Sequence, residues 1–200
     1  METHASTEVI RAALARSAGG RAPTDRAALE RLYERYTPRL LSYIRIKIGR
    51  RLREKMESRD ILQATLLKSF QHLDEFRGAD GRALMAWLAR IAEREIVDRA
   101  DFHGRQKRDA ASEAPIDDHQ DVAARMRSAL SQLIVSEQAA QVEAAMESLS
   151  DGQREIILLR KFEELSFPEI ASRLGKSEDA CRMSFARAMT ALTLKLSERS

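Results

Sequence analysis

The side chains that could do chemistry in this chain are mainly arginines, and their spacing suits binding rather than catalysis. Near the C-terminus, Ser177, Arg182, Ser184 and Arg187 lie along the exposed side of a predicted helix, with Arg173 and Lys176 just ahead of it. The arginine fork matches a guanine edge or a phosphate, and serine bonds bases or backbone. Glu178 and Asp179 open the same helix, where the positive end of the helix dipole favours acids. Groups that would serve an enzyme are scattered. His4, His72, His103 and His119 fall in tail, helix and linker, and no two stand at metal-ligand spacing. Cys181, the single cysteine, lies on the side of its helix expected to be buried, so it packs rather than attacks. No Gly-rich phosphate loop occurs. The expected chemistry is nucleic-acid recognition, with no catalytic residue, cofactor or metal.

The elements that must position these residues follow from caps and periodicity. Ser166-Phe-Pro-Glu169 has the form of a capping box and opens a short helix from Pro168 to about Leu174. Gly175 permits a tight turn, and Ser177 caps a longer helix reaching towards Leu196. A short helix, a Gly turn and a longer helix make a helix-turn-helix, whose second helix enters a major groove. Ile170, Leu174 and Phe185 fill its core, and Ala171 and Cys181 are small where the helices approach. A preceding helix starts at a second capping box, Ser150-Asp-Gly-Gln153, and carries Ile156, Ile157, Leu159 and Phe162. One such module makes few phosphate contacts and needs a partner or a second anchoring unit.

That second unit lies upstream. Leu29, Leu32, Tyr33 and Tyr36 recur at helical spacing, and Thr37-Pro38 reads as an N-cap followed by proline at the first position of a new helix. Leu40, Leu41, Ile44 and Ile48 continue the apolar stripe until Gly49. A third helix begins near Ser58, with the stripe Leu62, Leu66, Phe70 and Leu73. After the break FRGADG, a fourth carries Leu84, Trp87, Leu88 and Ile91. The 200 residues are 44% hydrophobic but only 5% aromatic, with 8 Gly and 4 Pro, and no strand-like alternation appears. The fold class is all-α: two small helical domains joined by a flexible acidic linker. The expected boundaries are a flexible extension at 1–24, a first unit at 25–108, a linker at 109–140 and a second unit at 141–200.

Charge follows the same division. The formal net charge is only +3, yet Asp25 to Asp60 carries eleven basic and six acidic residues, and Asp109 to Leu149 two basic and eight acidic. The stretch DAASEAPIDDHQD has no apolar period and reads as a spacer. No apolar run approaches a membrane span, and the N-terminal residues lack the apolar core of a signal peptide, so a cytoplasmic protein is expected.

The stretch Ser58-Arg-Asp-Ile-Leu-Gln-Ala-Thr-Leu-Leu-Lys-Ser-Phe70 resembles the helix with which bacterial sigma factors grip the clamp of core RNA polymerase. Phe76-Arg77-Gly78 and Trp87-Leu88-Ala89-Arg90-Ile91-Ala92 resemble the next block, which opens and reads the promoter −10 element. Leu149-Ser150, Arg154-Glu155, Leu165-Ser166, Glu169-Ile170-Ala171, Leu174-Gly175, Ser177 and Arg187-Ala188 are similar to the −35-reading block. Both blocks stand in family order from about Asp25 to Leu196, as in the extracytoplasmic-function class of the sigma-70 family. The chain departs at Ala64, where the family often has Glu, and at Asp179, Ala180 and Ser184, where Gly, Thr and Arg are more usual. The family's −35 base preference therefore does not transfer.

The resemblance implies a dissociable specificity subunit with core RNA polymerase and promoter DNA as partners and an anti-sigma factor as a further one. It implies polymerase contacts by Asp60, Ile61, Gln63, Leu67 and Phe70, and −10 contacts by Arg77, Trp87, Arg90, Arg94, Arg99 and Arg105. The −35 element falls to Arg173, Lys176, Ser177, Arg182, Ser184 and Arg187. Trp87 at helical spacing also suits a core position, and Leu62 and Leu66 suit the core better than a surface. Glu93, Glu95, Asp98 and Asp101 stand among the −10 arginines and offset part of their charge. Two other readings use the same residues: a helix-turn-helix regulator binding duplex DNA without polymerase, and a helical adaptor binding only protein.

Overall fold

A computed structural model of the protein describes residues 26–53, 56–78, 80–106 and 137–198. The extension 1–24 and linker residues 109–136 lie outside the described residues, and so does the side chain of Arg105. Among the described residues the structure is entirely helical.

Helix α1 spans Arg26–Arg53 and is a single helix through Pro38, where the sequence pattern predicts two. Thr37 does not cap. Its hydroxyl donates to the Tyr33 carbonyl (2.6 Å) one turn back, inside the helix. Proline removes one backbone donor, yet Leu32, Tyr36, Leu40, Leu41, Tyr43 and Ile44 are buried on both sides of it, and this continuous packing holds the helix together. The break comes at Gly49, at φ 65° and ψ 174°, where the apolar stripe was expected to stop.

Helix α2 (Ser58–Gln71) and helix α3 (Gly81–Gln106) pack on α1 and on each other as a three-helix bundle. Leu40, Ile44, Ile61, Leu62, Leu66, Met85 and Leu88 are fully buried at its centre, each worth about 1.5–3 kcal/mol of transfer free energy. The Tyr33 hydroxyl lies 3.1 Å from Ser69 Oγ, and burial pushes its phenol up to about 12. Between α2 and α3, a 3₁₀ turn (Leu73–Glu75) leads into Phe76-Arg77-Gly78, and Asp80 caps α3 by accepting from the Ala83 N–H (2.8 Å). Phe76 packs on Trp87 with ring centroids 5.3 Å apart.

The second unit comprises α4 (Glu137–Glu147), α5 (Asp151–Ile157) with a π-helical continuation (Leu158–Phe162), α6 (Phe167–Leu174) and α7 (Glu178–Ser197). Both expected capping boxes form, Ser150 with Gln153 and Ser166 with Glu169. Gly175, at φ 63° and ψ 35°, ends α6 in the left-handed conformation that glycine adopts without a Cβ penalty. Ser177 caps α7 by accepting from the Ala180 N–H. Ile170, Cys181, Ala188 and Leu192 are buried where α6, α5 and α7 meet. The outer side of α1 packs on α4 and on the π-helical turn, so the two units share a seam. No helix among the described residues is long and apolar enough to cross a membrane.

Candidate nucleic-acid interface

Helix α7 turns Cys181, Ala188 and Leu192 inward, which leaves Asp179, Arg182, Met183, Ala186, Arg187 and Thr190 on the outer face. Arg182 and Arg187 are exposed there, as are Lys176 and Ser177 at the turn, while Ser184 is half-buried at the edge. The Ser177 hydroxyl is engaged as a cap acceptor, which leaves its proton free to donate. Arg182 pairs with Glu178 one turn back, and its guanidinium lies over the Phe167 ring at 4.8 Å from the centroid. Arg160 covers the same ring at 4.9 Å, and Phe185 meets it edge-on at 5.9 Å. The Arg182 guanidinium is thus held between Glu178 and the Phe167 ring. Met183, 56% exposed between Arg182 and Arg187, escapes a reading that looks only for polar groups. Its spacing of four from Arg187 was the available signal.

In the first unit α2 presents Asp60 exposed and Gln63, Leu67 and Phe70 half-buried. Ile61 is the exception. It is fully buried in the bundle core, as are Leu62 and Leu66, so it supports α2 and offers no surface. The helical period places Ile61 one step from Asp60, and the packing of α1 and α3 closes over it. Lys68 forms an ion pair with the buried Glu95. On α3, Arg90 and Arg94 are exposed, Trp87 is half-buried against Phe76, and Arg77 is exposed in the preceding loop. Arg99 donates to the Asp60 carbonyl at 3.1 Å, tying the start of α2 to α3.

The acids among the arginines of α3 are partly committed elsewhere. Glu95 faces Lys68, and Glu93 faces the seam between the units. There Lys47 Nζ lies 2.7 Å from Glu93 Oε1 and 2.6 Å from Glu155 Oε2. Arg173 reaches Glu93 Oε2 at 2.7 Å and Glu163 Oε2 at 2.6 Å. The Tyr43 hydroxyl lies 3.0 Å from Glu93 and 3.2 Å from the fully buried Glu163. Burial pushes the Glu163 carboxyl above its ordinary value, only partly offset by Arg173. Burial acts in the same sense on Glu93, but the Lys47 bond and the charges of Lys47 and Arg173 outweigh it and hold that carboxyl low. Lys47 stays above its usual value despite burial, through Glu155 and Glu93. Around this cluster, Arg39 donates to the Lys161 and Phe162 carbonyls (2.8 and 3.0 Å) and to Glu164 (2.7 Å), and Ser42 donates to Glu143 (2.7 Å). Beside it a cleft of about 630 Å³ is lined by Arg90, Glu93, Arg94, Val97 and Asp98 of α3 and by Leu165, Glu169 and Arg173 of the second unit. Arginines that the resemblance assigns to different DNA elements therefore line one cleft, together with Glu93, Asp98 and Glu169.

Comparison with known proteins returns two family models, one in each half of the chain. Residues 32–106 match the family model for sigma-70 region 2, and residues 139–192 match that for sigma-70 region 4. The ECF RNA polymerase sigma factor SigD of Mycobacterium tuberculosis is 27% identical over 168 residues, covering 84% of this chain and 76% of that protein. RNA polymerase sigma factor YlaC of Bacillus subtilis is 27% identical over 158 residues, covering 76% of this chain and 82% of that protein. Sigma factor RpoE of Bartonella quintana, solved in complex with the anti-sigma factor NepR, matches with a TM-score of 0.51 at 20% identity. That match covers 84% of this chain and 96% of the other, a likeness of fold.

Proposed function

The chain belongs to the sigma-70 family, in its extracytoplasmic-function class of RNA polymerase sigma factors, and we propose that it reads promoters through two separate arginine-bearing surfaces. Sigma factors are not enzymes: the polymerase does the chemistry, and the sigma subunit chooses where it starts. The carrying observation is the helix-turn-helix of α6 and α7, capped at both helices, with Arg182 and Arg187 on its open face. On this reading Arg182, Met183 and Arg187 face base edges of the −35 element, Met183 by apolar contact with a thymine methyl. Arg173, Lys176, Ser177 and Ser184 take backbone or peripheral positions. Arg77, Arg90, Arg94 and Arg99, with Arg105 further along α3, hold the phosphates of the −10 strand, and Trp87 supports the Phe76-Arg77-Gly78 loop from beneath.

Core polymerase binds α2 through Asp60, Gln63, Leu67 and Phe70, with Ile61 fixing the helix from inside. An anti-sigma factor, as seen on the Bartonella relative, is a further partner. The test is transcription in vitro: full-length protein, core polymerase and a promoter library, with the transcripts sequenced. Initiation at a defined set of promoters only when the protein is added is the expected result. Duplex binding without any effect on polymerase overturns the reading in favour of a stand-alone regulator.

A further inference from the structure

Helix α7 carries one accessible sulfur, in the middle of its open face. Of the methionines among the described residues, Met56, Met85 and Met146 are buried and Met189 packs half-buried against the core, whereas Met183 is 56% exposed. Ala180 and Ala186, three positions to either side of it, are themselves exposed and too short to shield it. Cys181, the single cysteine, is fully buried on the inner side of the same helix. The other large apolar side chains that stand exposed, Val97, Phe102 and Leu194, contain no sulfur. An unshielded thioether is the group on this face that oxidants attack.

We propose that Met183 is an oxidative modification site whose sulfoxide weakens reading of the −35 element. This rests on the promoter-reading function above, in which Met183 lies between Arg182 and Arg187 against base edges. A peroxide supplies the oxygen. The sulfur lone pair attacks one peroxide oxygen, and the S–O bond forms as the O–O bond breaks. The proton on the transferred oxygen passes to the departing hydroxide and gives water, so the sulfur is oxidised and the peroxide reduced by the same electron pair. The product differs from methionine by a single oxygen, with two consequences at this position. An apolar, weakly accepting group becomes a strong dipole, which forfeits the contact with a thymine methyl and is desolvated against the base without a partner there. Side chains on a helix also lean towards its N-terminus, which carries the Arg187 stem back over the turn that holds Met183. The sulfoxide oxygen accepts from the Arg187 guanidinium and competes with the base for the same donors. One added oxygen therefore disturbs two neighbouring base contacts and leaves the packed core beneath untouched.

The test treats the full chain with hydrogen peroxide, removes the peroxide, and only then assembles the holoenzyme with untreated core polymerase. Peptide mass spectrometry follows each methionine, and holoenzyme affinity is measured on a promoter found in the transcription experiment above. Met183 should gain one oxygen before Met56, Met85 or Met146, with native helix content retained. Promoter affinity should then fall at least about fivefold, the scale of one lost base contact, while affinity for core polymerase stays unchanged. Treatment with both methionine sulfoxide reductases, one for each epimer, should restore it. Met183→Leu has no sulfur to oxidise at this position, so its promoter affinity, whatever its starting value, should not respond to peroxide. Met189→Leu should respond as wild type does. A Met183 that resists peroxide until the helices unfold overturns the site. Complete Met183 sulfoxide with undiminished promoter affinity, or an equal fall in peroxide-treated Met183→Leu, overturns its effect on reading. Failure of the promoter-reading function shows separately, as untreated protein that directs no promoter-specific transcripts.

Discussion

Arg173 Nη2 and Glu93 Oε2 are 2.7 Å apart, although the residues are separated by 80 positions and belong to different units of the chain. This pair joins a helix-turn-helix to the three-helix bundle and commits a candidate DNA-binding arginine to a carboxylate. Four measurements follow from it and from the geometry around it.

Glu93 and Glu163 should pull the pH dependence of stability in opposite directions. Glu93 is held below its ordinary value of 4.5, so its contribution is complete above that value and is lost as pH falls through the lowered one. The stability gap between wild type and Glu93→Gln is therefore widest near neutrality and closes in acid. Glu163 is raised, so ionising it costs stability, and that cost is relieved as pH falls through the raised value. Relative to Glu163→Gln, wild type should gain stability on mild acidification. Urea unfolding midpoints from neutrality down to the acid limb read both slopes.

Ile61 and Gln63 separate fold from docking. Ile61→Ala should cost about 2–5 kcal/mol of unfolding free energy, since the side chain is fully buried. Gln63→Ala, at a half-buried surface position, should stay within about 0.5 kcal/mol of wild-type stability and weaken binding to core polymerase. Thermal unfolding and a polymerase-binding titration on the same two proteins decide the matter. Equal polymerase affinity for Gln63→Ala and wild type would remove Gln63 from the interface.

Lys176 and Arg187 should leave different signatures on DNA binding. Lys176→Ala should weaken binding evenly across sequences and flatten the dependence of log K on log salt by about 1, as loss of one phosphate contact does. Arg187→Ala should cost about 1–3 kcal/mol on the preferred duplex and relax preference at one position. Titrations over a salt series and over single-base variants distinguish the two.

Gly78 should not accept even one methyl group. A Cβ there would stand 2.4 Å from both the Phe76 ring and the Ala83 Cβ, so the loop or the start of α3 must move. Gly78→Ala should lower stability by about 1–3 kcal/mol and, on the proposed reading, impair promoter opening more than polymerase binding. Permanganate footprinting of the melted strand beside a binding assay makes the comparison.

Much of this fold is legible in the chain because helical order is local. Each helical hydrogen bond spans four residues, and caps act within three, so Ser150–Gln153, Ser166–Glu169, Gly175 and Ser177 mark their helix ends without help from the rest of the molecule. The linear order of the two blocks likewise identified the family. What the chain alone did not determine was which neighbour each face would meet. The burial of Ile61 beside an exposed Asp60, the passage of α1 through Pro38 and the pairing of Glu95 with Lys68 all depend on helices packed from elsewhere in the sequence. The charge pattern showed acids and arginines interleaved on α3 and read them as offsetting one another. Tertiary structure paired Glu93 with Lys47 and Arg173 at the border of the cleft that Arg90 and Arg94 also line. An ion pair forms wherever the fold brings two charges within about 4 Å, and no local periodicity encodes that distance.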